Sequence, residues 1–264
     1  LPPVWLSYGP DDAYTMGLDG HAYDLDLAEL DRVSLETTEH VRIFMKSDIL
    51  RYCDLIDMPG ISDPSMSSEV WERMAHLADA VLWCTHATQA WRQSESGVWS
   101  TFPQEMRQNS ILLITRFDKI LGDSDRAKVV KRVKQETESL FSEVFPVSLL
   151  QAMRAGEDAE KWRSSGAADF TQALFDIIHR IVDEGHPEPG DADKPTITPD
   201  SGDETELGQS LIAEAFERLT VIRNTPVVAG LARRGEATVE RSLRTERRTA
   251  GPGPTLVTFA DNIV

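Results

Sequence analysis

The chain has 264 residues, 41% of them apolar, which allows one large domain, or one domain with an appendage, around a sizeable core. A net charge of −17 argues against general nucleic-acid binding, because phosphate-backbone recognition needs clustered Lys and Arg. No apolar run approaches the roughly 18 residues that span a bilayer, and no signal peptide is visible, so the sequence reads as soluble and cytoplasmic. Cys53 and Cys84 both lie in apolar runs and read as reduced core residues rather than a disulfide or metal pair.

Taken in order, Val4–Tyr8 predicts a strand, followed by turns at Gly9-Pro-Asp-Asp12 and Leu18-Asp-Gly-His21 and a short helix over Leu25–Val33. Val41–Met45 and Ile49–Asp57 read as the next strands, close enough to be partly antiparallel neighbours. From Ser67 helix and strand alternate. Helices are predicted over Ser68–Leu77, Ser94–Phe102, Asp125–Phe141 and Ala168–Asp183, and strands over Ala80–Cys84, Ser110–Thr115 and Val144–Ser148. This pattern implies an α/β domain whose mostly parallel sheet is covered by helices on both faces.

The composition changes after Glu184. An acidic, proline-punctuated stretch over 186–207 reads as a solvated linker, and 208–248 as a helical segment, its stripe of Leu211, Ala215, Leu219 and Ile222 amphipathic and its end basic. The basic end reads as a solvated helix face or as a contact for anionic lipid or an acidic partner. Residues 249–264 form a tail with a short β-like segment and no evident role.

Three sites carry chemistry. Asp57-Met-Pro-Gly60 ends an apolar strand in a carboxylate able to hold Mg²⁺, and Gly60 would let a bare N–H approach a phosphate oxygen. The same residues also make an ordinary turn. Thr115-Arg-Phe-Asp118 follows the next-but-one buried strand, and a carboxylate there could accept two parallel hydrogen bonds from the N1–H and N2–H₂ edge of guanine. Asp118 could equally cap a helical turn. Ser148 ends a further strand, where a backbone N–H could meet a base carbonyl or the hydroxyl could cap a helix. Their order and spacing place all three at strand C-termini, where open α/β sheets bind ligands.

On these motifs the chain resembles the GTPase domain of bacterial dynamin-like proteins over about residues 1–185. Trp5–Gly9 with Asp19-Gly20, and the run Thr88–Glu95, resemble further segments of that family. The resemblance implies a P-loop-GTPase-like fold binding GTP with Mg²⁺. Asp57 would hold the metal, Gly60 would sense the γ-phosphate, and Thr115, Arg116 and Asp118 would recognise guanine with a base contact at Ser148. It also implies homodimers or oligomers through the G domain and a membrane surface as partner with peripheral placement at the inner membrane, while the charge leaves no nucleic acid among the expected partners. The run Thr88–Glu95 would lie near the nucleotide and a partner G domain; its plain reading is a loop with Ser94 capping a helix and Trp91 and Trp99 in the core.

Two departures stand out. Arg116 occupies a position that is usually Lys, and its guanidinium can still stack on a base. No G-x-x-x-x-G-K-[ST] occurs in the chain. The resemblance therefore implies that a first core strand, the phosphate loop and the first switch precede Leu1, and that this chain is inactive alone. The alternative function is a non-catalytic scaffold or interaction module without a phosphate loop. A third reading pairs Asp57 with His86 as acid and base.

Overall fold

The computed structural model describes residues 2–58, 70, 77–184 and 255–260, with backbone alone at 105, 184, 255 and 257–260. Gly60, the predicted helix over Ser68–Leu77 apart from its residues 70 and 77, the linker 186–207, the helical segment 208–248 and the tail apart from 255–260 lie outside the described residues.

Nine described strands form one sheet: β1 (Val4–Tyr8), β2 (Asp12–Gly17), β3 (Ala22–Asp24), β4 (Thr38–Met45), β5 (Asp54–Met58), β6 (Ala80–His86), β7 (Ile111–Thr115), β8 (Glu143–Pro146) and β9 (Thr255–Ala260). Their spatial order is β3-β2-β4-β1-β5-β9-β6-β7-β8. From β5 to β8 every neighbouring pair is parallel. Beyond β5 the early strands alternate: β1 is antiparallel to β5 and parallel to β4, and β2 runs antiparallel to both β4 and β3. The sequence anticipates these antiparallel neighbours but not β2 and β3 themselves, whose polar, turn-flanked residues carry little hydrophobic pattern.

Strand alternation sends each strand's side chains to two separate cores. Val4, Leu6, Val41, Ile43, Leu55, Leu82, Ile111 and Leu113 join one. Helices α4 (Leu149–Ala155), α5 (Ala159–Ser164) and α6 (Ala167–Glu184) cover it, through residues such as Ala152, Trp162 and Phe170. Trp5, Ile56, Met58, Trp83, Leu112 and Ile114 face the other way, beneath α1 (Gln93–Trp99), α2 (Gln104–Gln108) and α3 (Asp123–Glu136). The fold is thus a mixed α/β sheet, mainly parallel, with helices on both faces. Trp83, Trp91, Trp99, Phe102 and Phe141 interlock in this second core, Trp99 stacking on Phe141 at 4.2 Å between ring centroids.

Three expectations are corrected. Ile49–Asp57 is not one strand: Asp48–Arg51 forms a 3-10 turn, and β5 starts at Asp54. The chain must reverse after β4 and pass β1 before it can pair with it, so the first half of this apolar run turns while the second half extends. The helix after β6 starts at Gln93, with the Glu95 carboxylate accepting from the Arg92 N–H at 2.6 Å, so Ser94 is not its cap. The segment Thr255–Ala260, without a role in the sequence reading, is the strand between β5 and β6. It pairs with both neighbours along its length.

A polar cluster sits among the apolar residues of β1, β4 and β5. Asp54 accepts from Trp5 Nε1 and Arg42 Nη2, both at 3.0 Å, and Arg42 also donates to Ser7 Oγ at 2.7 Å while its guanidinium lies 4.1 Å from the Trp5 ring centroid. Beside it the His40 ring packs 5.6 Å from Trp5, its Nδ1 making no hydrogen bond and lying 4.0 Å from the Glu39 carboxylate. Burial, then the Arg42 charge, holds the His40 pKa down at about 4. The unfolded state therefore binds the extra proton first. The contribution of neutral His40 is complete above about pH 6.5 and is lost as pH falls towards 4. We expect a loss on the order of 3 kcal/mol across that window, and urea unfolding of His40→Phe should show a much flatter profile between pH 6.5 and 5. An unchanged slope would remove His40 from the account.

Candidate functional site

Because β5 to β8 are parallel, their C-terminal ends open on one edge of the sheet. β7 ends at Thr115, and Arg116 then takes a left-handed conformation (φ 52°, ψ 37°), uncommon for a residue with a Cβ. That reversal starts the 3-10 turn Phe117–Lys119 and places Asp118 beside the loop after β8. The loops are tied together: Val147 N–H donates to Ile114 O at 2.9 Å, and Phe117 N–H to Val147 O at 3.3 Å.

Ser148 Oγ donates to Asp118 Oδ1 at 2.7 Å while accepting from the Gln151 N–H, so one hydroxyl caps α4 and orients the carboxylate. Sequence reasoning held these two roles apart, and the structure joins them. Asp118 remains partly exposed, with Lys119 Nζ 3.8 Å from its other oxygen. Ser148 is itself held from behind, its N–H donating to Ser165 O at 2.9 Å.

Thr115 is placed differently from its neighbours in the motif. Its side chain is buried and donates to Thr85 O at 3.1 Å, which pins β7 to β6 beneath the site. Thr85 Oγ1 in turn donates to the buried Glu95 carboxylate, which also accepts from Trp83 Nε1. Glu95, in the run Thr88–Glu95, is thus a structural anchor for the β6 end, and Trp91 and Trp99 are core residues. A Glu three residues after a helix cap was the available signal for it.

His86 closes β6 level with Thr115. Its Nδ1 accepts from the Thr88 N–H, so Nε2 carries the proton of the neutral ring. Burial, then Arg116 and Arg92, hold its pKa below the ordinary value, against the opposing charge of Asp118. His86, Arg116, Arg92 and Asp118 therefore share one electrostatic neighbourhood.

Asp57 stands apart from that group. It is buried near the end of β5 and engaged with its surroundings. Through Thr258 of β9 it is level with Leu82 and Ile111, four residues short of His86 and Thr115. At ideal strand and sheet spacings this puts Asp57 on the order of 20 Å from Thr115 and 16 Å from His86. An acid–base pair of Asp57 and His86 is ruled out by that separation, which far exceeds hydrogen-bond reach.

No protein-family model matches the chain. A curated relative, the GTPase Era of Aquifex aeolicus (strain VF5), is 24% identical over 109 residues, 39% of this chain and 36% of that protein. Among solved structures, one from an oligomerised bacterial dynamin pair described as sensing and tethering membranes has a TM-score of 0.48 and 14% identity. It covers 69% of this chain and 32% of its own. Another, Era in complex with MgGDPNP and nucleotides of 16S ribosomal RNA, has a TM-score of 0.35 and 16% identity, covering 60% of this chain and 44% of its own. The chain spans about a third of the length of the relatives it matches first.

The residues fit a guanine nucleotide and Mg²⁺ in part. Asp118, preoriented and partly exposed, has the chemistry for the guanine edge. Mg²⁺ is commonly held by one or two carboxylates with the remainder from phosphate and water. Asp57 could supply one such ligand. Among the described residues no group of three or more His, Cys, Asp or Glu is arranged around a common metal position.

Proposed function

We propose that this chain is a guanine-nucleotide-binding module of the dynamin-like GTPase type. The observation that carries the reading is the Ser148–Asp118 hydrogen bond, which presents an oriented carboxylate at the C-terminal edge of β7 and β8. The likeness to the GTPase Era over 109 residues supports it. In this reading Asp118 accepts from guanine, Arg116 flanks the base, and Ser148 keeps Asp118 in register. Asp57 addresses the metal and phosphate end, with Gly60 beside it. The wide spacing of Asp57 from the end of β7, on the order of 20 Å at ideal strand and sheet spacings, suits two ends of one elongated ligand. Mg²⁺, when bound, would neutralise charge developing on the phosphates during hydrolysis of the nucleotide by the intact protein. Self-assembly at a membrane extends the proposal on the strength of the resemblance. Across the described residues no helix is long and apolar enough to cross a membrane.

Titration of the chain with fluorescent guanine, adenine and xanthine nucleotides tests this directly. Asp118→Asn should weaken guanine nucleotide by roughly 100-fold, the loss of two charge-assisted bonds, while xanthine nucleotide is far less affected. Equal losses for both would remove Asp118 from base recognition. A second reading is favoured by the lack of any G-x-x-x-x-G-K-[ST] in the sequence. Under it the domain is a non-catalytic interaction module, and no nucleotide binds at millimolar concentration.

A further inference from the structure

β9 has an unusual place in the fold for a segment so late in the chain. It lies between β5 and β6, parallel to both, with five register pairs on each side: Asp54 to Met58 opposite Thr255 to Phe259, and Ala80 to Cys84 opposite Leu256 to Ala260. β5 and β6 do not pair with each other. Without β9 the sheet divides into β3-β2-β4-β1-β5 and β6-β7-β8, each with an unpaired parallel edge flanking one slot. Such edges leave a row of unsatisfied N–H and C=O groups, which favours the addition of any complementary strand. Leu256 is completely buried in the core beneath α4 to α6, so the slot offers a side-chain pocket as well as a hydrogen-bonding ladder.

The occupant is suited to exchange. Thr-Leu-Val-Thr-Phe-Ala is uncharged, β-branched and aromatic, without Pro or Gly, a composition that pairs readily as a strand. It is separated from the end of α6 by the 70 residues 185–254, a contour of about 230 Å at full extension. That length permits the strand to reach the slot of a neighbouring copy as well as its own. The contacts at the slot are identical in either case, so exchange forfeits none of them.

We propose that the space between β5 and β6 is a strand-acceptor site and that two copies of this chain associate by inserting each other's 255–260 segment into it. This inference is independent of the nucleotide reading, since it rests on sheet topology alone. It makes the C-terminal strand an interaction element whose partner is a second copy.

The register supplies the test, because Ile56 stands opposite Val257. Full-length Ile56→Cys and Val257→Cys chains are mixed at about 100 µM, oxidised mildly, and run on a non-reducing gel beside each single variant alone. A covalent heterodimer specific to the mixture is expected, at a yield at least several-fold above the single-variant controls. The double variant Ile56→Cys/Val257→Cys, oxidised at high dilution, checks that the strand occupies its slot in the substituted chains. A disulfide within the double variant, with none between mixed singles, would show that the slot takes its own strand alone and overturn the proposal. No disulfide in either sample would overturn the placement of the acceptor site itself. Dimers from the single variants alone, equal in yield to the mixture, would trace association to another surface and count against strand exchange.

Discussion

Asp54→Ala is expected to destabilise the fold by about 3–5 kcal/mol, the usual cost of removing one partner from a buried ion pair. Asp54 receives both the Trp5 indole N–H and the Arg42 guanidinium, and both Asp54 and Arg42 are buried. Removing the carboxylate leaves a cation enclosed beside the Trp5 ring, with its Nε already unpaired. The complementary experiment replaces both partners. Asp54→Leu combined with Arg42→Met should recover most of the loss, because two apolar groups leave no uncompensated charge. Urea unfolding followed by tryptophan fluorescence measures both. If Asp54→Ala costs less than about 1 kcal/mol, water reaches this cluster and the pair is not a buried one.

Gly166→Ala carries the second large effect, about 3 kcal/mol for a strained backbone combined with a steric clash. Gly166 has φ +81°, and a Cβ there would be driven into the Pro146 carbonyl oxygen, a backbone atom that cannot rotate away. Pro146 ends β8, and Ser165, immediately before Gly166, accepts from the Ser148 N–H. The substitution therefore strains the loop that orients Asp118. Gly20→Ala is the control: its φ of +79° matches that of Gly166, but nothing lies within 4 Å of the added methyl, so only the backbone strain, on the order of 1 kcal/mol, should appear. Similar melting temperatures for the two variants would show that the Pro146 contact relaxes freely. In the proposed function, Gly166→Ala should also weaken guanine nucleotide binding, and Gly20→Ala should not.

How much could be read in advance depended on how local each signal is. Ile111–Thr115 and Ala80–Cys84 were plain because their apolar runs are bounded by polar breaks, and both faces of these strands are buried. Asp118 and Ser148 were legible as strand-end residues from the same pattern. Their hydrogen bond was not, because it depends on the left-handed turn at Arg116, and nothing in an arginine announces a positive φ. Thr115 shares a motif with Asp118 but is still part of β7 and bonds to β6, whereas Asp118 lies in the turn beyond Arg116. The anchoring role of Glu95 has no local signature beyond its place after the helix cap, because an acid early in a helix is usually solvated, and its burial follows from Trp83 and Thr85 on another element.

Residue order and local patterning account for the alternation of elements, the two-sided burial of the parallel strands and the order of Asp57, Asp118 and Ser148 along the chain. These follow from side-chain periodicity and turn chemistry, which act over a few residues. The tertiary structure alone decided which strands are neighbours, that Asp57 and His86 are too far apart to share a proton, and that Thr255–Ala260 lies at the heart of the sheet. A six-residue apolar strand pairs equally well with many edges. Its address is set by the facing edges of β5 and β6, which belong to elements far from it in sequence.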